Sequence, residues 1–290
     1  MAVCVVSGAS GLVGREVVAQ LVRSGHDVRA WRSSASSASS PNDQYQQVRL
    51  ATPIAVVEPL FAGVDAFVHC AWDLQVSSWD EIERVNVDGS IAWLEAAARA
   101  GVKKLIFVSS VSAYTGCRSM YGRSKLAVEE AVTRLGGVNV RPGIVHGDPT
   151  AGVYGRLWQS TSASVIPLID GGHQGMLTVH REDLAFAINR ILDDYTQWKG
   201  RTIVIGHPEL ITLRELLERV LRARGRSARF VTVPSRPVLL ALRFFERAGA
   251  RLSFRSDSLV TLMGEEPRVD RGVLQELEVP FRSLDDALKS

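Results

Sequence analysis

The segment Val3-Cys4-Val5-Val6-Ser7-Gly8-Ala9-Ser10-Gly11-Leu12-Val13-Gly14 decides the fold of this 290-residue chain. Val3 to Val6 is a short apolar run rich in β-branched residues, as expected of a strand buried on both faces. Glycines follow at 8, 11 and 14. Leu12, Val13, Val17, Val18, Leu21 and Val22 then recur at spacings of three and four, a helical pattern. Strand, glycine turn and helix in immediate succession are what a dinucleotide requires. One glycine makes the tight turn, one lets backbone approach the pyrophosphate, and one lets helix pack on strand. The phosphates meet free N–H groups at the helix N-terminus. Gly8, Ser10, Gly11, Leu12, Val13 and Gly14 are therefore candidate cofactor-binding residues.

Working outward, Ser24-Gly25 ends the first helix and a second strand is expected at 27–31. It runs into Arg32 and a serine- and alanine-rich stretch to residue 40, expected as a mobile surface loop. Further strands are expected at 47–50, 66–70, 105–109 and 139–141, with helices at about 80–100 and 121–135. This alternation implies an α/β, doubly wound parallel sheet. After Pro142 periodicity weakens, and 143–175 reads as irregular. A helix at 182–193, a strand at 202–205 and a helix at 212–223 follow, the last with Thr212 and Glu215 placed as a capping box. The amphipathic stretch 236–248 is expected to pack in the core; an interaction surface or a lipophilic pocket are the other readings. The expected division is a dinucleotide-binding domain over 1–148, to which about 176–206 returns. A smaller C-terminal substrate domain takes about 149–175 and 207–290.

Composition narrows the function. Apolar residues make up 46% and charged residues 22%, and 34 basic against 31 acidic residues leave a formal charge of +3. That field is too weak to argue for nucleic acid or a membrane surface, and neither is expected as a partner. No run approaches the roughly 18 apolar residues of a transmembrane helix. Cys4, Cys70 and Cys117 lack metal-like spacing, so neither a zinc site nor a disulfide framework is expected, and a cytoplasmic location is the default.

Cofactor choice belongs at the end of the second strand, where a carboxylate would bind the ribose of NAD. The sequence instead offers Arg29-Ala30-Trp31-Arg32, with no acid after Asp27. Arg32 can pair with a 2′-phosphate, so NADP(H) is favoured and NAD(H) stays open. Tyr121 and Lys125 lie four apart on one helix face. A tyrosine has a reference pKa near 10, and a nearby cation favours its phenolate and brings proton transfer into range. Serines at 109, 110 and 112 end the apolar strand before them, where a hydroxyl can reach a substrate oxygen.

Six segments then carry a resemblance: 8–14; Gly63-Val-Asp-Ala-Phe-Val-His-Cys-Ala71; Val85-Asn-Val-Asp-Gly89; 107–114 with 121–125; Arg141-Pro-Gly-Ile-Val-His-Gly147; and 179–183. The chain resembles the short-chain dehydrogenase/reductase superfamily, in its extended, NAD-dependent epimerase/dehydratase-like branch with the dihydroflavonol-type reductases. The likeness covers roughly residues 1–190 and implies a Rossmann-like fold. It implies that Tyr121 is the general acid/base, and that Lys125 holds the nicotinamide ribose and lowers the tyrosine's pKa. Ser110 matches the family's catalytic serine, with Ser109 and Ser112 as alternatives. Asn86 would support the lysine region, Ala71 would offer backbone to the cofactor, and Pro142 and Gly143 would border the nicotinamide. Relatives pair through helices matching 80–100 and 121–135, so a homodimer is expected there. Ala51 stands where many relatives carry an acid toward adenine. Only eleven positions separate Ser110 from Tyr121, which argues for a substrate other than a nucleotide sugar.

The expected activity is NAD(P)-dependent oxidoreduction of a small-molecule carbonyl/alcohol pair. A nucleotide-sugar epimerase or dehydratase with retained NAD is the first alternative, and a catalytically idle NADP-binding regulator the second.

Overall fold

Strand β1 (Val3–Ser7) lies inside a parallel sheet in the computed structural model, which describes residues 1–33, 45–250, 252 and 254–289. The other strands are β2 (Asp27–Arg32), β3 (Tyr45–Gln47), β4 (Ala66–His69), β5 (Lys104–Val108), β6 (Val138–Pro142) and β7 (Thr202–Ile205). Their order is β7-β6-β5-β4-β1-β2-β3, and every pairing is parallel. The chain moves outward from β1 to β3, then crosses back to β4 on the other side of β1. The carboxyl ends of β1 and β4 therefore flank a topological switch point, the crevice where such sheets hold ligands.

Side-chain alternation explains the continuous apolar run of β1. Cys4 and Val6 face one layer and Val5 the other, and all three are fully buried. The first layer contains α1 (Leu12–Arg23) and a later helix over Arg181–Asp193, through Val17, Leu21, Leu184, Ile188 and Ile191. The second contains α2, which runs as Trp79–Glu81, a π-helical stretch Ile82–Asp88 and Gly89–Arg99, and α3 (Met120–Arg134). Trp31, Phe61, Phe67 and Trp93 cluster in this layer, with ring centroids 5.0 to 5.8 Å apart.

Beyond β6 the chain is more regular than its sequence suggested. Residues 143–175, expected to be irregular, contain a strand Ile144–His146, helix α4 (Gly152–Ser160) and a strand Val165–Ile169. The first strand pairs with Thr178–His180 and the last with Arg229–Val233. These strands owe their existence to distant partners, which local periodicity does not reveal. β3 lies at 45–47 rather than 47–50, because Val48 N–H donates to the Arg32 carbonyl (2.8 Å) and the chain then turns at Arg49. The serine- and alanine-rich stretch 34–40 lies outside the described residues.

Further helices include α5 (Arg181–Asp193), α6 (Leu213–Ala223), α7 (Ser235–Arg247) and α8 (Ser256–Leu262). A third apolar cluster joins α6 to Tyr154, Ile166, Leu168 and Leu284. Thr212 and Glu215 form the anticipated reciprocal cap, with Thr212 N–H donating to the Glu215 carboxylate at 2.7 Å. The expected core packing of 236–248 is not observed. Within α7 only Ser235 is buried, and Leu240, Phe244 and Phe245 project into solvent.

Candidate active site

The three glycines of the first turn do different work. Gly8 has φ +67°, and a Cβ there would come within 2.8 Å of the Ala71 Cα. A side chain at Gly14 would collide with the Gly8 carbonyl, so this glycine lets α1 lie against the turn. Gly11 meets only the Gly8 oxygen, at 3.2 Å, and otherwise faces open space. Gly11 is also the N-cap of α1. No side chain caps that end and no acid occupies its first turn. The N–H groups of Leu12 and Val13 thus have no intrahelical acceptor, beside an exposed Ser10. Ala71 N–H donates to Ser7 Oγ at 3.3 Å, and that oxygen lies 2.7 Å from His69 Nδ1. Burial pushes His69 down to about 3, so this strand-to-strand link is neutral.

Arg32 ends β2 almost buried, with its guanidinium over the Tyr45 ring. Its Nε has no hydrogen-bond partner among the described residues. Arg49, which the sequence reading passed over, donates from Nε to the Ser33 carbonyl (2.8 Å) at the same strand end. Ala51 is exposed and lines a groove of about 290 Å³ between residues 50–54 and α2.

At the carboxyl end of β5, the Ser110 side chain interacts with the Tyr121 phenol. Ser110 Oγ also accepts the Ser112 N–H at 3.2 Å. Ser109 Oγ is buried and without a partner, whereas its N–H is spent on Val140 (2.7 Å). Burial raises the Tyr121 pKa above 10, and the Ser110 side chain opposes that rise.

Lys125 is buried beside the end of β5. Its Nζ donates to the Val108 carbonyl at 2.9 Å and lies 3.8 Å from the Trp72 ring centroid. Burial brings it down to about 7. Trp72, a residue absent from the sequence reading, also meets Tyr121 edge-on at 6.3 Å. Its signal was only its position directly after Ala71 at the end of β4.

Asn86 is buried in the π-helical stretch and clamps the loop that carries Trp72. Its Oδ1 accepts Asp73 N–H (2.8 Å), and its Nδ2 donates to the Asp73 carbonyl (2.9 Å). Pro142 ends β6 beside Ile205, and a side chain on Gly143 would strike the Leu177 backbone. The second unforeseen residue is Asp257. Its carboxylate accepts the N–H groups of Met120 (2.6 Å) and Tyr121 (3.2 Å), capping the tyrosine's own helix from α8. Ser119 Oγ accepts the next, from Gly122, at 3.1 Å.

These features fit a dinucleotide. Gly8 and Gly14 leave no room for side chains, the helix N-terminus has unpaired donors, and a buried arginine donor lacks an acceptor among the described residues at the strand end that meets the adenosine ribose. The molecule is thus an α/β dinucleotide-binding protein with a serine–tyrosine–lysine site at the sheet's carboxyl edge. It belongs to the NAD dependent epimerase/dehydratase family, whose profile matches residues 4–206.

The chain is 28% identical to an uncharacterized protein, y4nG, of Sinorhizobium fredii, over 84% of this chain and 66% of that protein's length. It is 28% identical to ceramide reductase of Caulobacter vibrioides, over 82% of this chain and 76% of that one. It is 24% identical to the 3 beta-hydroxysteroid dehydrogenase/Delta 5-->4-isomerase of Mycobacterium tuberculosis, over 91% and 81% of the two chains. The crystal structure of gox2253 superposes with a TM-score of 0.79 at 24% identity, over 99% of this chain and 96% of that one, a likeness of fold.

Proposed function

We propose that this chain is an NAD(P)-dependent oxidoreductase that interconverts a carbonyl and an alcohol on a lipophilic small molecule. The observation that carries the reading is the pairing of the Ser110 side chain with the Tyr121 phenol at the crevice edge of β5. In the reducing direction both hydroxyls hold the carbonyl oxygen, and Tyr121 delivers the proton that turns it into an alcohol. Its phenol, kept protonated by burial, suits that role. A bound nicotinamide would supply the hydride to the carbonyl carbon. Lys125, one helical turn along α3, stabilises the phenolate that remains when it carries a proton. Trp72, held by Asn86 through Asp73, shields that corner from water.

Gly8, Ser10, Gly11, Leu12, Val13 and Gly14 would hold the pyrophosphate, with Ala71, Pro142 and Gly143 lining the approach. Arg32 and Arg49 favour NADP(H), because a guanidinium pairs with a phosphate more strongly than with a hydroxyl. Lipophilic substrates are supported by the redox relatives, one named for ceramide and one for 3 beta-hydroxysteroid.

The test is NADPH and NADH consumption at 340 nm with a panel of long-chain and polycyclic ketones. The wild type should turn over with net loss of absorbance. Tyr121→Phe should lose about 10²–10⁴ of the rate. Turnover with no net absorbance change, with NAD released only on denaturation, would show a retained cofactor and overturn the reductase reading in favour of an epimerase or dehydratase.

A further inference from the structure

The exposed surfaces of α2 and α3, where a homodimer was expected, are strongly charged: Glu83, Arg84, Glu95 and Arg99 on one, Glu130 and Arg134 on the other. The exposed apolar face of the molecule lies elsewhere, on α7. Pro237, Leu240, Ala241, Phe244, Phe245 and Ala248 are all exposed, and their three- and four-residue spacing forms one stripe along the helix. Leu240 is 68% and Phe244 69% exposed.

The opposite side of α7 is the one held to the protein. Val238, Leu239 and Leu242 are half-buried, and Glu246 turns inward to accept Ser256 N–H at 2.8 Å. The only carboxylate of the helix is therefore occupied on its inner face. Arg236, Arg243 and Arg247 are exposed and border the stripe on one side. Arg236 feels Asp170, while Arg243 and Arg247 have no carboxylate within 4 Å among the described residues. Phe254 and Met263, at the two ends of α8, add exposed apolar surface on the element packed against α7.

We propose that α7 docks the protein on an anionic lipid surface, lying in the plane of the headgroups with Leu240, Phe244 and Phe245 inserted. A ridge of thirteen residues spans about 20 Å at 1.5 Å per residue, enough to lie along a bilayer and too short to cross it. Apolar tips beside arginines, with no exposed acid on the helix, are complementary to acyl chains below a layer of phosphates. A second copy fits less well, since a two-fold contact over this ridge brings the same arginines against one another. The docking reverses the expectation, drawn from the small net charge, that no membrane surface is involved. Net charge says little about one helix. The inference stands on α7 and not on the substrate reading, although a docked α7 would bring a lipophilic substrate close. From α7 only Glu246, Ser256 and Asp257 intervene before the Tyr121 backbone.

The full chain is mixed with vesicles of 30% phosphatidylglycerol in phosphatidylcholine, and with pure phosphatidylcholine vesicles, then sedimented. The wild type should pellet with the anionic vesicles and bind the neutral ones at least about tenfold more weakly. A Leu240→Ser/Phe244→Ser variant and an Arg243→Glu/Arg247→Glu variant should both stay in the supernatant. Both should keep the wild-type unfolding temperature, because the changed side chains are exposed. Wild type left in the supernatant with both vesicles overturns the proposal, as does equal binding to both. Sedimentation equilibrium showing a dimer that Phe244→Ser dissociates, with no vesicle binding, assigns the ridge to a second copy instead.

Discussion

Replacing Lys125 by Met should make the cofactor-free protein more stable near neutral pH and less stable in strong alkali. The amine is 3% exposed, and burial moves it from 10.5 to about 7. Between those values the unfolded chain binds a proton that the folded one does not, so folding stability rises with pH across the window. At 1.36 kcal/mol per unit, the buried ammonium costs roughly 4–5 kcal/mol below pH 7, and nothing above about pH 10.5. Met fills similar volume without a charge, but it leaves the Val108 carbonyl without its 2.9 Å donor, a loss of about 1–3 kcal/mol. The variant should therefore be about 1–4 kcal/mol more stable at pH 6, and about 1–3 kcal/mol less stable at pH 10.5. Urea unfolding of both proteins from pH 6 to 10.5 measures this. Taking the difference between the two cancels other titrating groups, Tyr121 included. A difference that stays flat across the window would refute the burial of a charged amine beside Trp72.

Three further outcomes follow from the packing of the site. Gly14→Ala should lose about 1–3 kcal/mol and weaken dinucleotide binding, because its Cβ meets the Gly8 carbonyl; an unchanged melting temperature would contradict the close approach of α1. Asn86→Ala should cost about 1–3 kcal/mol in urea unfolding and increase hydrogen exchange at Asp73. Unaltered protection there would mean that the clamp is not formed. Asp257→Ala should cost about 0.5–2 kcal/mol by uncapping α3, with Asp257→Asn restoring most of it. Equal losses for both would show that the effect is not the cap.

The glycine turn was legible in the sequence because strand, turn and helix are contiguous, and each glycine answers a local demand. The sheet followed from alternation of apolar strand and amphipathic helix. Tyr121 and Lys125 were legible as a pair by spacing, but not the direction of the lysine, which is set by the Val108 carbonyl and by Trp72 from another strand. Asp257 had no local signal at all, since it caps a helix 137 positions away. Asn86 was visible as a residue and not as a clamp, because its partner is backbone. The amphipathic pattern of α7 was visible, but a pattern does not say which face is covered. Only the half-buried Val238 and Leu242 against the exposed Leu240 and Phe244 decide that.

The order of strands has a consequence for biosynthesis. β6 gains its outer neighbour only when Thr202–Ile205 arrives, with Val204 set against Arg141. Until the ribosome has delivered that stretch, a nascent chain presents β6 as a bare edge. A fragment cut near residue 200 would keep that edge permanently. It should collect in inclusion bodies rather than yield a free dinucleotide-binding unit. The last strand of the sheet to be made is thus the one that closes its β6 edge.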